Sequence, residues 1–254
     1  MKVNNKGMID MKIIDDLKYN SGYNSFLDIY LPEIKEYDVL IWFHRGGLEG
    51  ESRKSIMFAE DLTRLGIAVV SVEYRLYPDA KYPEYIEDCA AAVKFTLEHM
   101  ADYGGVKRFF TSGQSAGAYI TMMLCFNPTF LHKAGVDRSK ISGYISESAQ
   151  VTTHFNVLKE RGIDPRLERI DHASPIFYLC EESDFDNLLM IYYSEDIPCR
   201  PEENRLFYTN IKRLCPDKNV KLVELSGNHC NGSTNRNEKG NFDFNDALVK
   251  FING

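Results

Sequence analysis

VKRFFTSGQSAGAYITMMLCF, residues 106–126, decides the fold. Val106 to Thr111 reads as a short strand, and Ala116 to Phe126 is apolar on all sides, as a buried helix would be. Between them stands Gly113-Gln114-Ser115-Ala116-Gly117, a G-x-S-x-G sequence. The pentapeptide alone is weak, because glycines and serines meet by chance in many loops. Its strand–turn–helix setting is what a nucleophile elbow requires. The glycines answer crowding: side chains two residues before and after the serine would clash with the neighbouring strand and helix. The turn lifts the Ser115 hydroxyl above a sheet, and the helix N-terminus beneath it favours developing negative charge.

Outward from this segment, strands alternate with helices. Asn24 to Leu31 alternates polar and apolar residues and ends at Pro32, which predicts an early, half-exposed strand. Val39 to Phe43 and Ile67 to Val72 are continuous apolar runs, as strands buried on both faces would be. Ser55 to Leu65 has helical spacing with Gly66 as its stop, and Pro83 opens a helix to about Met100 with the stripe Ile86, Ala90, Val93, Leu97. Further strands are expected at Ile141 to Ile145, Leu188 to Tyr193 and Val220 to Leu225. Helices are expected at Glu202 to Leu214 and Phe242 to Ile252. Residues 148–184 have weak periodicity and predict surface loops and short helices, a small lid or insertion. The alternation implies βαβ crossovers, hence an α/β fold with a mostly parallel central sheet and helices on both faces, in a single domain over 1–254.

The 254 residues carry 30 basic and 37 acidic side chains, a formal charge of −7 that opposes binding to a nucleic-acid backbone. No stretch approaches the roughly 18 apolar residues of a membrane span. The N-terminus is charged every few residues without an apolar core, which argues against a secretory signal and for a cytoplasmic location. The six cysteines are widely spaced with no C-x-x-C, and reduced, mostly buried thiols are expected. No His/Asp/Cys cluster has metal-ligand spacing, so neither metal nor cofactor is expected.

His44-Arg45-Gly46-Gly47 follows the buried strand Val39 to Phe43. Here the chain resembles the α/β-hydrolase superfamily, and within it the hormone-sensitive-lipase-like carboxylesterases and bacterial acyl (acetyl, feruloyl-type) esterases. Their His-Gly-Gly-Gly loop supplies backbone N–H groups to the oxyanion of a tetrahedral intermediate. The resemblance implies that Gly46 and Gly47 are such donors here, with the Ala116 N–H completing the hole. The sequence departs from the family at Arg45, where the first glycine usually stands. Glu73-Tyr74-Arg75-Leu76-Tyr77-Pro78, with Pro83 and Asp88 downstream, resembles the Asp-Tyr-Arg-Leu-x-Pro segment that braces the oxyanion loop in these esterases.

A serine nucleophile needs a base, and the base needs an orienting carboxylate. Six histidines are available. His44 belongs to the glycine loop, His99 to a helix end, and His132, His154 and His172 to expected loops. His229 lies just past the last strand, where the superfamily order Ser…Asp…His places the base. The tract after it, Asn231 to Asn241, is expected to be a mobile surface loop. The acid should follow the strand Leu188 to Tyr193. The family's Gly-x-x-Asp-x-x-x-Pro turn implies Asp196, although Tyr193 replaces the usual glycine and Pro198 comes early. Glu195 is the nearest competitor, and Asp184 and Asp186 precede the strand.

The expected activity is hydrolysis of a small-molecule carboxylic ester through an acyl-enzyme. Family relatives often have a longer N-terminal cap, so the short segment here implies an open site for short acyl groups, with acylated sugars among the substrates. Three rivals stand beside this. A prolyl-oligopeptidase-type serine peptidase usually adds a β-propeller, and an arylformamidase would have tryptophan where Leu48 stands. A non-catalytic relative that only binds a ligand typically lacks one member of the Ser/Asp/His set.

Overall fold

The apolar runs pair as a single sheet in the computed structural model, which describes residues 11–21 and 25–254. In chain order the strands are β1 (Lys12–Lys18), β2 (Phe26–Leu31), β3 (Glu36–Phe43), β4 (Ile67–Val72), β5 (Gly105–Gln114), β6 (Ile141–Glu147), β7 (Asn187–Glu195) and β8 (Asn219–Asn228). Among the described residues their spatial order is β1-β2-β4-β3-β5-β6-β7-β8. β1, β2 and β4 pair antiparallel, and every pairing from β4 through β3 to β8 is parallel. The helices are α1 (Ala59–Arg64), α2 (Glu84–His99), α3 (Ala116–Phe126), α4 (Thr129–Ala134), α5 (Phe155–Glu160), α6 (Arg200–Leu214), α7 (Asn231–Thr234) and α8 (Asp243–Ile252).

Successive strand side chains point to opposite faces, so β3 feeds two cores. Val39, Ile41 and Phe43 pack with Ile86 and Val93 of α2, Met122 of α3 and Phe207 of α6. Leu40 and Trp42 pack with Leu62 of α1 and Leu248 of α8. Helices therefore cover both faces, as the alternating pattern implies. All parallel strands run the same way, so the loops after β3, β5, β6, β7 and β8 gather at one rim. Among the described residues no helix is long and apolar enough to cross a membrane.

The structure departs from the sequence expectations in several of its elements. Lys12–Lys18, part of the short N-terminal segment, is a strand at the sheet edge; its exposed charges hide its period from sequence. Asn24 lies outside the described residues, and the strand that it was expected to open begins at Phe26. The helix expected from Ser55 starts at Ala59, because Ser52 caps a separate 3-10 turn over Arg53–Ser55. Residues 148–184 are not all surface: 148–154 are buried, and the Val151 and Thr152 N–H groups donate to Glu203 Oε2 at 2.9 and 3.2 Å.

A part-buried ion cluster joins the antiparallel edge to the rim. Arg53 Nε lies 3.1 Å from Asp28 Oδ1, its Nη1 donates to Glu73 Oε2 at 3.1 Å, and Lys54 Nζ lies 2.8 Å from Asp28 Oδ2. Burial acts to raise the Asp28 carboxyl, but Lys54, the Asp16 N–H and Arg53 outweigh it and hold it below its ordinary value. Glu73 is likewise held down, against burial, by His44 and Arg53. Carboxyls depressed on folding stabilise the protein above their unfolded values of about 4, and that stabilisation is lost as pH falls through the lower folded values. Arg53→Met is therefore expected to lose about 3 kcal/mol at pH 7, because it removes the cation shared by two buried carboxylates. The deficit should shrink as pH falls below about 4. Urea titrations of both proteins across this range check it, and a pH-independent deficit would contradict the assignment.

Candidate active site

Two close approaches build the elbow. A methyl placed on Gly113 would sit 2.1 Å from the Gly117 carbonyl, and one on Gly117 would sit 2.0 Å from the Phe43 carbonyl oxygen. Both lie far inside van der Waals contact, so glycine is obligatory, and α3 packs directly on the end of β3. Ser115 itself has φ 54° and ψ −109°, a backbone conformation that non-glycine residues rarely adopt. It is held there because its N–H donates to the Glu147 carbonyl at 2.8 Å while its own carbonyl accepts from Tyr119 N at 2.9 Å. Strain of this kind costs about 1–3 kcal/mol and persists only where the surroundings impose it.

The rim brings three distant side chains into one line. Ser115 Oγ lies 2.8 Å from His229 Nε2, and His229 Nδ1 lies 2.5 Å from Asp196 Oδ1. Asp196 Oδ2 also accepts from Ser148 Oγ at 2.7 Å and Tyr193 N at 3.2 Å, and Oδ1 accepts from Ile197 N at 2.8 Å. Burial acts to raise this carboxyl, but the hydrogen bonds from His229, Ser148 and Ile197 hold it below the ordinary range. An ionised Asp196 only accepts, so Nδ1 carries the imidazole proton and Nε2 is left to accept from the Ser115 hydroxyl.

Other candidates are placed elsewhere. Glu195 is exposed at the end of β7, and Asp184 and Asp186 precede that strand. His132 lies within α4 rather than a loop. His154 is buried at the start of α5, accepts from Asn156 N at 3.2 Å, and burial pushes its imidazole well below the usual value. Asn231 to Asn241, expected as a mobile loop, begins as α7, with Gly232 and Ser233 buried. Among the described residues, no three or more His, Cys, Asp or Glu side chains gather as a metal site.

The glycine loop is braced from three sides. Gly46 and Gly47 have φ of 113° and 65°, and the Gly46 carbonyl accepts from Glu49 N and Gly50 N at 3.1 and 3.0 Å. The His44 ring stacks on Tyr74 at 4.1 Å, Tyr74 OH donates to the His44 carbonyl at 2.7 Å, and Tyr77 N donates to the Leu48 carbonyl at 2.8 Å. Arg75 fixes that support through a two-pronged contact with Asp88 at 2.8 and 2.9 Å. From the other side Asn156 Nδ2 donates to the Gly47 carbonyl at 2.7 Å, and a side chain on Gly47 would meet the Phe155 ring at 3.0 Å. Ala116 opens α3, so its N–H has no partner within the helix. Arg45, at the family's departure point, turns to Glu51 at 3.4 Å and is one-third exposed.

Ser148, Asn156 and Phe155 were not anticipated from sequence. The available signal was positional: Ser148 directly follows a parallel strand, at the rim where the elbow opens.

Comparison with known proteins gives the same architecture. The BD-FAE family model matches residues 27–157, which span the glycine loop and the elbow and stop before Asp196 and His229. Tuliposide A-converting enzyme b1 of Tulipa gesneriana is 32% identical over 111 residues, 37% of this chain and 30% of that protein. The chain thus spans under a third of the length of that relative. An inhibited esterase B from Lactobacillus rhamnosis superposes with a TM-score of 0.77 at 15% identity, covering 96% of this chain and 87% of that one. A truncated carbohydrate esterase from gut microbiota gives 0.75 at 17% identity, covering 95% of each chain. At such identities the structures establish the fold, that of the α/β-hydrolases.

Two glycine substitutions separate contact from backbone conformation. Gly117→Ala forces its methyl onto the β3 backbone and is expected to cost about 3 kcal/mol, the upper end of overpacking. Gly162→Ala has φ 68° but nothing within 4 Å, and should cost only about 1 kcal/mol. Urea unfolding of the two variants checks the ranking, and an inverted order would refute the crowding argument.

Proposed function

The chain belongs to the BD-FAE family, and on that premise we propose that it is a serine-dependent carboxylic ester hydrolase working through an acyl-enzyme. The observation that carries this reading is the hydrogen-bonded line from buried Asp196 through His229 to Ser115 Oγ, with Ser115 on a strained turn at the head of a helix. Nε2 takes the hydroxyl proton as Ser115 Oγ attacks the ester carbonyl. The imidazolium is stabilised by Asp196 and returns the proton to the leaving alcohol. Water then attacks the acyl-enzyme by the same route. Gly46, Gly47 and Ala116 donate backbone N–H groups to the oxyanion. No step requires a cofactor.

The proposed substrates are small esters with a short acyl group, sugar esters among them. Phe155 closing on Gly47 supports a narrow acyl site. Names among the similar proteins, a tuliposide-converting enzyme and a carbohydrate esterase, support an acylated sugar.

Chromogenic esters from acetate to octanoate test both parts. Ser115→Ala should lower turnover by about 10³ or more with the fold retained, since the three residues act as a unit. Near wild-type turnover in that variant would sink the serine mechanism. Acetate or propionate should exceed octanoate in kcat/KM, and the reverse order would refute the narrow acyl site.

The acid is tested by a paired substitution. Asp196→Asn keeps the shape but favours the wrong imidazole tautomer, and kcat should fall by about 10⁴. Glu195→Gln, at an exposed side chain, should leave kcat within about twofold. A large loss in Glu195→Gln with a mild one in Asp196→Asn would reassign the acid.

A further inference from the structure

Glu147 ends β6, beside the elbow strand, and is linked to the segments that bear Ser115, Asp196 and His229. Its carbonyl accepts from Ser115 N at 2.8 Å. Its buried Oε1 accepts from Tyr193 OH at 2.5 Å and Ser233 Oγ at 2.8 Å. Ser233 Oγ in turn accepts from Gln114 Nε2 at 2.6 Å, and Tyr193 OH accepts from Gly232 N at 2.9 Å. Gln114 immediately precedes the nucleophile, and Gly232 and Ser233 follow His229 by three and four residues. The Tyr193 N–H is one of the donors to Asp196. One carboxyl thus joins the strand end bearing Ser115, the turn bearing Asp196 and the segment bearing His229.

We propose that Glu147 is a positioning residue for ester hydrolysis, fastening the His229 segment to the elbow so that Nε2 stays on Ser115 Oγ. This rests on the serine-hydrolase reading and goes beyond it, because Glu147 itself does not contact the imidazole or the hydroxyl. The carboxyl is poorly provided for: Oε2 is buried without a hydrogen-bond partner. Burial pushes the group up to about 7, the Asp196 charge adds to the rise, and Tyr193, Ser233 and Arg45 oppose it. The groups facing it are Tyr193 from β7, Asp196 after β7, Cys230 after β8 and Arg45 after β3. A carboxylate grips two hydroxyl donors more tightly than the neutral acid does.

Two opposite pH effects follow. Ionisation through about pH 7 tightens the seating of His229, so Glu147 adds a rising step to kcat. The folded value is raised above the unfolded one, so the stability due to this group is full below about 4.5 and is lost as pH rises through about 7. Activity from this residue therefore climbs where its contribution to stability declines. A crosslink that served the fold alone would give only the second effect.

The experiment compares wild type, Glu147→Gln, Ser233→Ala and the double variant between pH 5.5 and 9. It measures kcat and KM on p-nitrophenyl acetate, urea midpoints, and labelling of Ser115 by a fluorophosphonate. Glu147→Gln keeps an acceptor oxygen but no charge. It should lower kcat about tenfold with KM within about twofold, as slight misplacement of a base does. It should also lose one rising step in kcat and the stability decline around pH 7. Ser233→Ala should lower kcat about threefold, and the double variant should be no slower than Glu147→Gln, since both break one link. If Ser115 is labelled but Glu147→Gln matches wild type in kcat and pH profile, the inference fails alone. If wild-type Ser115 is not labelled, the hydrolase reading fails and takes the inference with it. Should Glu147→Gln not fold, an unchanged kcat in Ser233→Ala overturns the inference, and a reduced kcat with unchanged KM supports it.

Discussion

The rest of the structure depends on one contact, the seating of Gly117 against the Phe43 carbonyl. It lets the helix after the serine lie directly on the end of the neighbouring strand. With Gly113 it compresses the turn until Ser115 takes a backbone conformation that open chain would avoid. The same contact draws in the loop leaving β3, because a side chain at Gly117 would also meet the His44 carbonyl oxygen, at 2.7 Å. Steric exclusion at two positions thus sets the backbone of Ser115 and sets the glycine loop beside it.

Most of the architecture was legible because buried parallel strands are apolar on both faces and stand out from single-faced helices. Ile67–Val72 and Ala116–Phe126 have the bounds that their composition implies. Ser115, Asp196 and His229 were legible for a different reason: each directly follows a strand whose C-terminal end forms the rim. What local pattern cannot carry is a polar partner far along the chain. Ser148 approaches Asp196 across 48 residues, and Glu147 meets Ser233 across 86. Residues 148–154 look like a loop because they are rich in Ser, Thr and Gln, yet they are buried, their backbone met by Glu203. β1 was hidden because an edge strand needs no apolar face of its own when β2 supplies its hydrogen bonds.

Four carboxyls set into this protein sort by the partners at hand. Asp28 and Glu73 have cations or an imidazole beside them and are held low. Asp196 has an imidazole, a hydroxyl and backbone donors, with the same result. Glu147 has two hydroxyls and one oxygen without a partner, and it is held high. Asp196 and Glu147 stand at the ends of adjacent strands with opposite tendencies, which is the arrangement that lets neighbouring carboxyls hold different protonation states near neutrality.

α3 has all 11 of its residues buried and so presents no face to water. Such a helix gains nothing from forming alone; it is stable only once strands and helices have closed around it on every side. The line through Ser115 joins residues separated by 114 and 33 positions, and each arrives on a different crossover. The line therefore exists only where the strands and crossovers that carry its three members are all in place. Alignment of these three side chains is thus a property of the whole native fold rather than of any fragment.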